Sequence, residues 1–324
     1  MTRVRPLAVL IGVAASLTGL YFAVRDVDFE LFVDTLGEFS LWWIVPAVGV
    51  LGGSTGLRVV RWRYLFPPET RPPPSATLRA LLVGELFNIA LPFRTGELAR
   101  VIVIHREAGT SRSEALGTAL VERFLDVLVL LVLLFAVLPF VPEITWIGVA
   151  AAALAAALAF LVVGSFVLTR YGERPITFLL KPVARMPGLS AERTASLAVS
   201  FLRGLQGLRN LRAGVVAAGL TAAGWLAVAL AYWLLMRGLH LDLGFAAAVV
   251  VVVAISFALI LPALPAGVGV FEAATLVALQ PFGVGDSEAL SGAVVLHVVT
   301  LAAVLAAGLI ALQSHRSLQP AESA

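Results

Sequence analysis

Two segments of this sequence set proline, glycine and glutamate inside apolar surroundings: Leu91-Pro92-Phe93-Arg94-Thr95-Gly96-Glu97 and Leu264-Pro265-Ala266-Gly267-Val268-Gly269-Val270-Phe271-Glu272. Each reads Leu-Pro, then glycine, then glutamate, and each interrupts an apolar stretch. Helix breaks free amide and carbonyl groups that lipid cannot satisfy, so such segments line a cavity or pack on protein. Helix N-termini there favour an anionic group. Pro92, Gly96, Pro265, Gly267 and Gly269 would let the backbone approach it, and Glu97 and Glu272 would supply charge for gating or for coupling to a cation or proton. The plain alternative is that the prolines and glycines are kinks and the two acids cap short helices.

A second group is Glu122, Arg123 and Asp126. On one helix Glu122 and Asp126 share a face at i and i+4, and Arg123 reaches Asp126 at i+3. A charge at mid-bilayer costs roughly 2.5–3.5 kcal/mol on insertion scales, so these groups are expected to face the bundle interior and pair, with Arg94 or Arg100 as the natural partner. They serve either a structural ion-pair network or a substrate contact. Arg58, Arg61, Trp62 and Arg63 form a third group, either an interfacial anchor for a helix end or, for the arginines, a bidentate grip on phosphate. His297 lies inside an apolar run, as a polar cavity residue or a satisfied interhelical histidine.

The elements that must position these residues are membrane helices. Apolar runs long enough to cross lie near 7–24, 41–57, 116–140, 146–169, 213–236 and 289–312, and a hydrocarbon core of about 30 Å needs roughly 20 residues per crossing. The first run follows Arg3 and Arg5 but lacks a small-residue cleavage pattern, so it reads as a retained helix rather than a signal peptide. Two further stretches, 78–92 and 245–281, are broken by Pro and Gly. With the N-terminus cytoplasmic, every Lys and Arg falls inside except Arg25 and Arg237, which are outside, and Arg123, which is within a helix; such asymmetry orients the chain. On that topology 78–106 dips in from the inside and 245–281 from the outside, and paired Gly or Pro breaks in opposed halves mark a transporter's central site. Eight full crossings are the other solution. In 170–212, Leu197, Phe201, Leu205, Leu208 and Leu211 recur at helical spacing among arginines, which suits a helix in the inner headgroup layer or a cytoplasmic connector packed on the bundle.

Composition agrees. The 324 residues are 60% hydrophobic and 13% charged, with mean hydropathy +0.98, against roughly 25% charged in soluble domains. The expected fold is all-α: one polytopic membrane domain over 1–324, with about six full spans and two oppositely oriented re-entrant broken helices resembling an inverted repeat. A net charge of +3 serves topology rather than nucleic acid, because the basic residues flank apolar runs. There is no cysteine, the histidines have no ligand spacing, and no His-Glu-x-x-His, P-loop or Gly-x-Ser-x-Gly pattern occurs. No metal, cofactor or enzymatic activity is expected.

The ordered series Arg58-x-x-Arg61-Trp62, Pro92-x-Arg94-x-Gly96-Glu97-x-x-Arg100, Glu122-Arg123-x-x-Asp126 and Pro265-x-Gly267-x-Gly269-x-x-Glu272 resembles the lysylphosphatidylglycerol synthase transmembrane region, or flippase-like, family over nearly the whole chain. The resemblance implies a membrane domain that moves lipid between leaflets; the soluble aminoacyltransferase half of full synthases is not expected here. Relatives carry the domain beside glycosyltransferases, which leaves the lipid open. Ala266 departs from a frequent glycine, and His297 stands where relatives often have arginine.

Together these readings predict an integral protein of a prokaryotic plasma membrane, both termini cytoplasmic. It would handle an anionic or phosphate-bearing lipid through Arg94, Arg100, Arg58, Arg61 and Arg123, with Glu97, Glu272, Glu122 and Asp126 gating or coupling. The alternative is a non-transporting scaffold that presents lipid to a separate transferase.

Overall fold

The computed structural model describes residues 4–90, 95–141, 211–260 and 264–316, with the isolated helical positions 152 and 156. Among the described residues there are ten α-helices and no strand: α1 (Val4–Val24), α2 (Phe29–Gly37), α3 (Ile44–Leu65), α4 (Pro74–Ala90), α5 (Gly96–Ala108), α6 (Arg112–Val137), α7 (Leu211–Gly238), α8 (Phe245–Ala258), α9 (Val270–Leu279) and α10 (Asp286–Arg316).

Four segments have the length and apolar character of a crossing: Leu41–Leu65, Arg112–Phe140, Ala213–Gly238 and Asp286–Gln313. They contain the runs expected at 41–57, 116–140, 213–236 and 289–312. The 7–24 run lies within α1, whose 21 residues span about 31 Å at 1.5 Å per residue. The 146–169 run lies outside the described residues, apart from positions 152 and 156. So does the 170–212 connection, save residues 211 and 212, which open α7. The stretch 25–40, expected as an outer loop, carries α2. Asp28 caps that helix, accepting from the amides of Glu30 and Leu31 at 3.0 and 3.3 Å, and Phe32 and Leu36 pack on the core. Its apolar spacing is too brief for a span, and the acids interleaved with it hide the helical period.

The interrupted stretches become helix pairs. In the first, α4 starts at the last of three prolines, Pro72 to Pro74, where a fixed φ suits the first turn, and α5 ends at Gly109, which is left-handed at φ 67° and donates its N–H to His105 O. In the second, α8 and α9 flank a 3₁₀ turn at Pro265–Gly267. These helices have 17, 13, 14 and 10 residues, so each falls short of the roughly 20 a crossing needs. The members of each pair pack on one another, and the Pro265–Gly267 turn packs against α4.

Each pair has its own core. Around the first, Trp62, Leu65, Phe66, Leu81, Ile104 and Leu125 pack together. Around the second, Leu235, Met236, Val250, Phe271, Leu279 and Leu296 do so. The long helices α3 and α7 pack along each other and reach both cores. In α8 every residue from Ala247 to Val253 is buried, which explains its nearly pure Ala and Val composition: a helix surrounded by protein needs no polar face. Outward-facing Trp42, Val45, Val132, Val298 and Ile310 are exposed, as the surface of a protein solvated by lipid should be.

Candidate functional site

The first helix pair meets a cluster of charges. Glu122 and Asp126 stand one turn apart on α6 and point inward, where Arg61 of α3 pairs with both, at 2.6 Å to Asp126. Arg100 of α5 reaches Glu122 at 2.9 Å and Glu97, one turn earlier on its own helix, at 2.7 Å. Arg123 closes the ring, pairing with Glu97 at 2.5 Å and with Asp126 at 3.2 Å. Beside it, Arg58 pairs with Glu85 of α4. These four arginines meet four carboxylates, so the cluster is formally neutral.

Removing such charges from water is repaid only where hydrogen bonds complete the pairing, and here they do so unevenly. Asp126 also accepts from Trp225 Nε1 at 3.1 Å, and Arg61 donates to Thr221 Oγ1 at 3.2 Å. Arg100 lies over the Trp62 ring, 4.7 Å from its centroid. Yet Arg61 Nε, Arg100 Nη2 and Arg123 Nε are buried without a hydrogen-bond partner, and Arg100 faces Glu97 Oε2 and Glu122 Oε2 at ion-pair distance without those oxygens gaining a hydrogen bond. Buried donors in native proteins are nearly always paired, so open ones mark a place for another acceptor. Exposure grades across the cluster: the Glu122 side chain is 0% exposed and Asp126 8%, while Glu97 is 25% and Arg123 38% exposed. Within the ring of Arg61, Arg100, Arg123 and their three acids, the accessible edge is therefore Glu97 with Arg123.

Close backbone contact places Glu97. The amide of Gly96 donates to Asn88 Oδ1 at 2.9 Å, and a Cβ on Gly96 would lie 1.8 Å from Gly84 O. Only glycine lets α4 and α5 approach this closely.

The second pair carries a different site. Glu272 accepts from the amide of Gly269 at 2.7 Å, and its other oxygen meets His297 Nδ1 of α10 at 2.7 Å. His297 Nε2 lies 3.0 Å from the carbonyl of Ala266, and the imidazole stacks on Phe271 with centroids 4.2 Å apart and planes 13° from parallel. The turn has Ala266, Gly267 and Gly269 at φ 63°, 82° and 83°. A Cβ on Gly269 would meet Ser16 O of α1 at 2.1 Å, and Ser16 Oγ accepts from the amide of Leu264 at 2.8 Å.

The residues singled out by sequence thus fall into two groups. Arg58, Arg61, Gly96, Glu97, Arg100, Glu122, Arg123 and Asp126 come together at the first pair; Pro265, Gly267, Gly269, Glu272 and His297 come together at the second. Pro92 and Arg94 lie outside the described residues. Trp62, open in the sequence to reading as an interfacial anchor, is instead fully buried, donating to Thr118 Oγ1 at 3.1 Å. The sequence reading overlooked Glu85, Asn88, Ser16, Thr221 and Trp225. Glu85 carried its own signal, an acid inside an apolar stretch; the others are ordinary polar residues whose roles depend on tertiary neighbours.

The family described as Lysylphosphatidylglycerol synthase TM region matches this chain over residues 9–308. No curated protein and no solved structure gives a significant match.

Proposed function

The chain belongs to the lysylphosphatidylglycerol synthase TM region family and is an integral membrane protein of lipid-associated kind; from that premise we propose that it moves an anionic, phosphate-bearing lipid between leaflets. The observation that carries this reading is the set of guanidinium donors on Arg61, Arg100 and Arg123 that make no hydrogen bond inside a cluster of ion pairs. A phosphodiester has the charge and the paired oxygens of a carboxylate, and arginine grips both alike. Because the cluster is already neutral, an incoming headgroup replaces a carboxylate. Glu97, the most accessible of the three ringed acids, is the one to yield, leaving Arg100 and Arg123 to the phosphate. Arg94, three residues before Glu97 in the sequence, adds a further cation.

On this reading the two short helix pairs are re-entrant, entering from opposite faces. Both termini are cytoplasmic, the membrane is a prokaryotic plasma membrane, the domain fills residues 1–324, and no covalent chemistry is performed. The test is transfer of a labelled anionic phospholipid in liposomes holding the purified chain. Transfer above empty vesicles, lost in Arg123→Gln, is the expected result. Equal rates with and without protein across several lipid classes would sink the proposal.

A second reading rests on the family's description as the membrane region of a synthase: a scaffold that presents lipid to a separate transferase. It predicts lipid binding without transfer by the chain alone, and co-purification of a stable partner.

A further inference from the structure

The hydrogen bonds around His297 fix a proton count. Nε2 lies 3.0 Å from the Ala266 carbonyl, which can only accept, so Nε2 carries hydrogen. Nδ1 lies 2.7 Å from a Glu272 oxygen, and that contact needs a second hydrogen, on the ring or on the carboxyl. A neutral imidazole beside an ionised carboxylate has only one between them, and would turn a lone pair toward a negative oxygen. These contacts therefore require one proton beyond that state, giving a pair with no net charge.

We propose that Glu272 and His297 form a proton-binding site that latches the Pro265–Gly267 turn, closed when the shared proton is present and released when it leaves. The construction suits this role. His297 holds the turn directly through Ala266, and Glu272 holds it through the Gly269 amide. The turn is strained at Ala266, whose left-handed backbone costs a residue with a Cβ. Phe271, stacked flat on the ring, presents a π-face to the imidazolium. A strained turn tied by a titratable pair opens when the tie is cut.

The surroundings leave the pair to titrate against itself. From α7 comes Tyr232, edge-on to Phe271 at 6.4 Å; from α1, the uncharged Ser16. α8 contains no charged residue, and α9 none besides Glu272. On α10 the other titratable residues, Asp286, Glu288, His315 and Arg316, stand at the two ends of the helix. The charged residues of α4, Arg79 and Glu85, are paired with Glu107 and Arg58.

Hydrogen exchange of the 264–272 segment, on the full chain in nanodiscs between about pH 5 and about pH 9, tests this without reference to lipid transfer. After correction for the intrinsic rate, protection should fall with rising pH, by up to about tenfold per unit, the slope of one proton. Glu272→Gln carries its own hydrogens: its amide donates to Nδ1 while its oxygen still accepts from Gly269. That variant should stay protected, with no pH slope. His297→Phe should exchange fast at every pH. A flat wild-type profile overturns the latch, as does a wild-type slope retained in Glu272→Gln. The wild-type profile decides even if His297→Phe fails to fold. Transfer could fail while the latch titrates, or the reverse, so the two proposals fall separately.

Discussion

Glu97 and Glu272 each stand in the first turn of the second helix of a short pair, yet Glu97 faces two guanidiniums and Glu272 faces an imidazole. The frames are alike: a glycine too close to a neighbouring backbone for any Cβ, and a Pro-containing segment between the helices. The electrostatics are not. At the first pair charge is permanent, because arginine does not lose its proton in proteins, and a carboxylate can be displaced only by another anion. At the second, histidine can lose its proton, and the tie can be cut without a ligand. On the two proposals above, the first pair would exchange anions and the second would bind a proton.

The largest expected effect separates them by stability. Glu122→Ala takes from Arg61 and Arg100 the one fully buried carboxylate they share, leaving Asp126 and Glu97, and should cost about 3–5 kcal/mol. His297→Ala removes bonds from a group that can become neutral and should cost about 1–3 kcal/mol. Thermal unfolding in nanodiscs measures both, and the reverse order would break the comparison.

Gly96→Ala and Gly269→Ala probe the shared frame. Their added Cβ atoms would meet backbone oxygens at 1.8 and 2.1 Å, and each should lose about 3 kcal/mol, read as folded yield and midpoint. A large loss at one position only would show that the frames differ. Next in size, Arg123→Gln should weaken binding of an anionic lipid about tenfold and leave neutral-lipid binding unchanged, whereas Glu272→Gln should leave both unchanged; titration of labelled lipid into nanodiscs checks this. The smallest effect is Ala266→Gly. Relief of the left-handed backbone at φ 63° should raise stability by about 1 kcal/mol, seen as a higher unfolding midpoint.

Hydropathy made the four long apolar segments legible, since burial of about 20 apolar residues is nearly the whole requirement for such a helix. The i+3 contact of Arg123 with Asp126 and the pairing of Arg100 with Glu122 were also accessible, because helix periodicity and the cost of a lone intramembrane charge point to them. Arg61 was harder. Its pairing joins α3 to α6 across 61 residues of sequence, and no local rule links the two. Trp62 reads as an interfacial anchor from its basic neighbours, but its indole fills the core because Thr118 supplies an acceptor there. The proton count at His297 needed the Ala266 carbonyl, whose position depends on the turn's backbone rather than on any side chain.

The contact of Ser16 with Leu264 and Gly269 bears on how the protein is made. α1 leaves the ribosome well before the turn it completes, which is synthesised some 248 residues later. Until then the Ser16 hydroxyl lacks the amide that donates to it. Closure between these two distant segments is thus a late, non-local event of assembly, of the kind that slows folding and exposes intermediates. Changes at the N-terminal helix should accordingly be felt first in the maturation of the second pair.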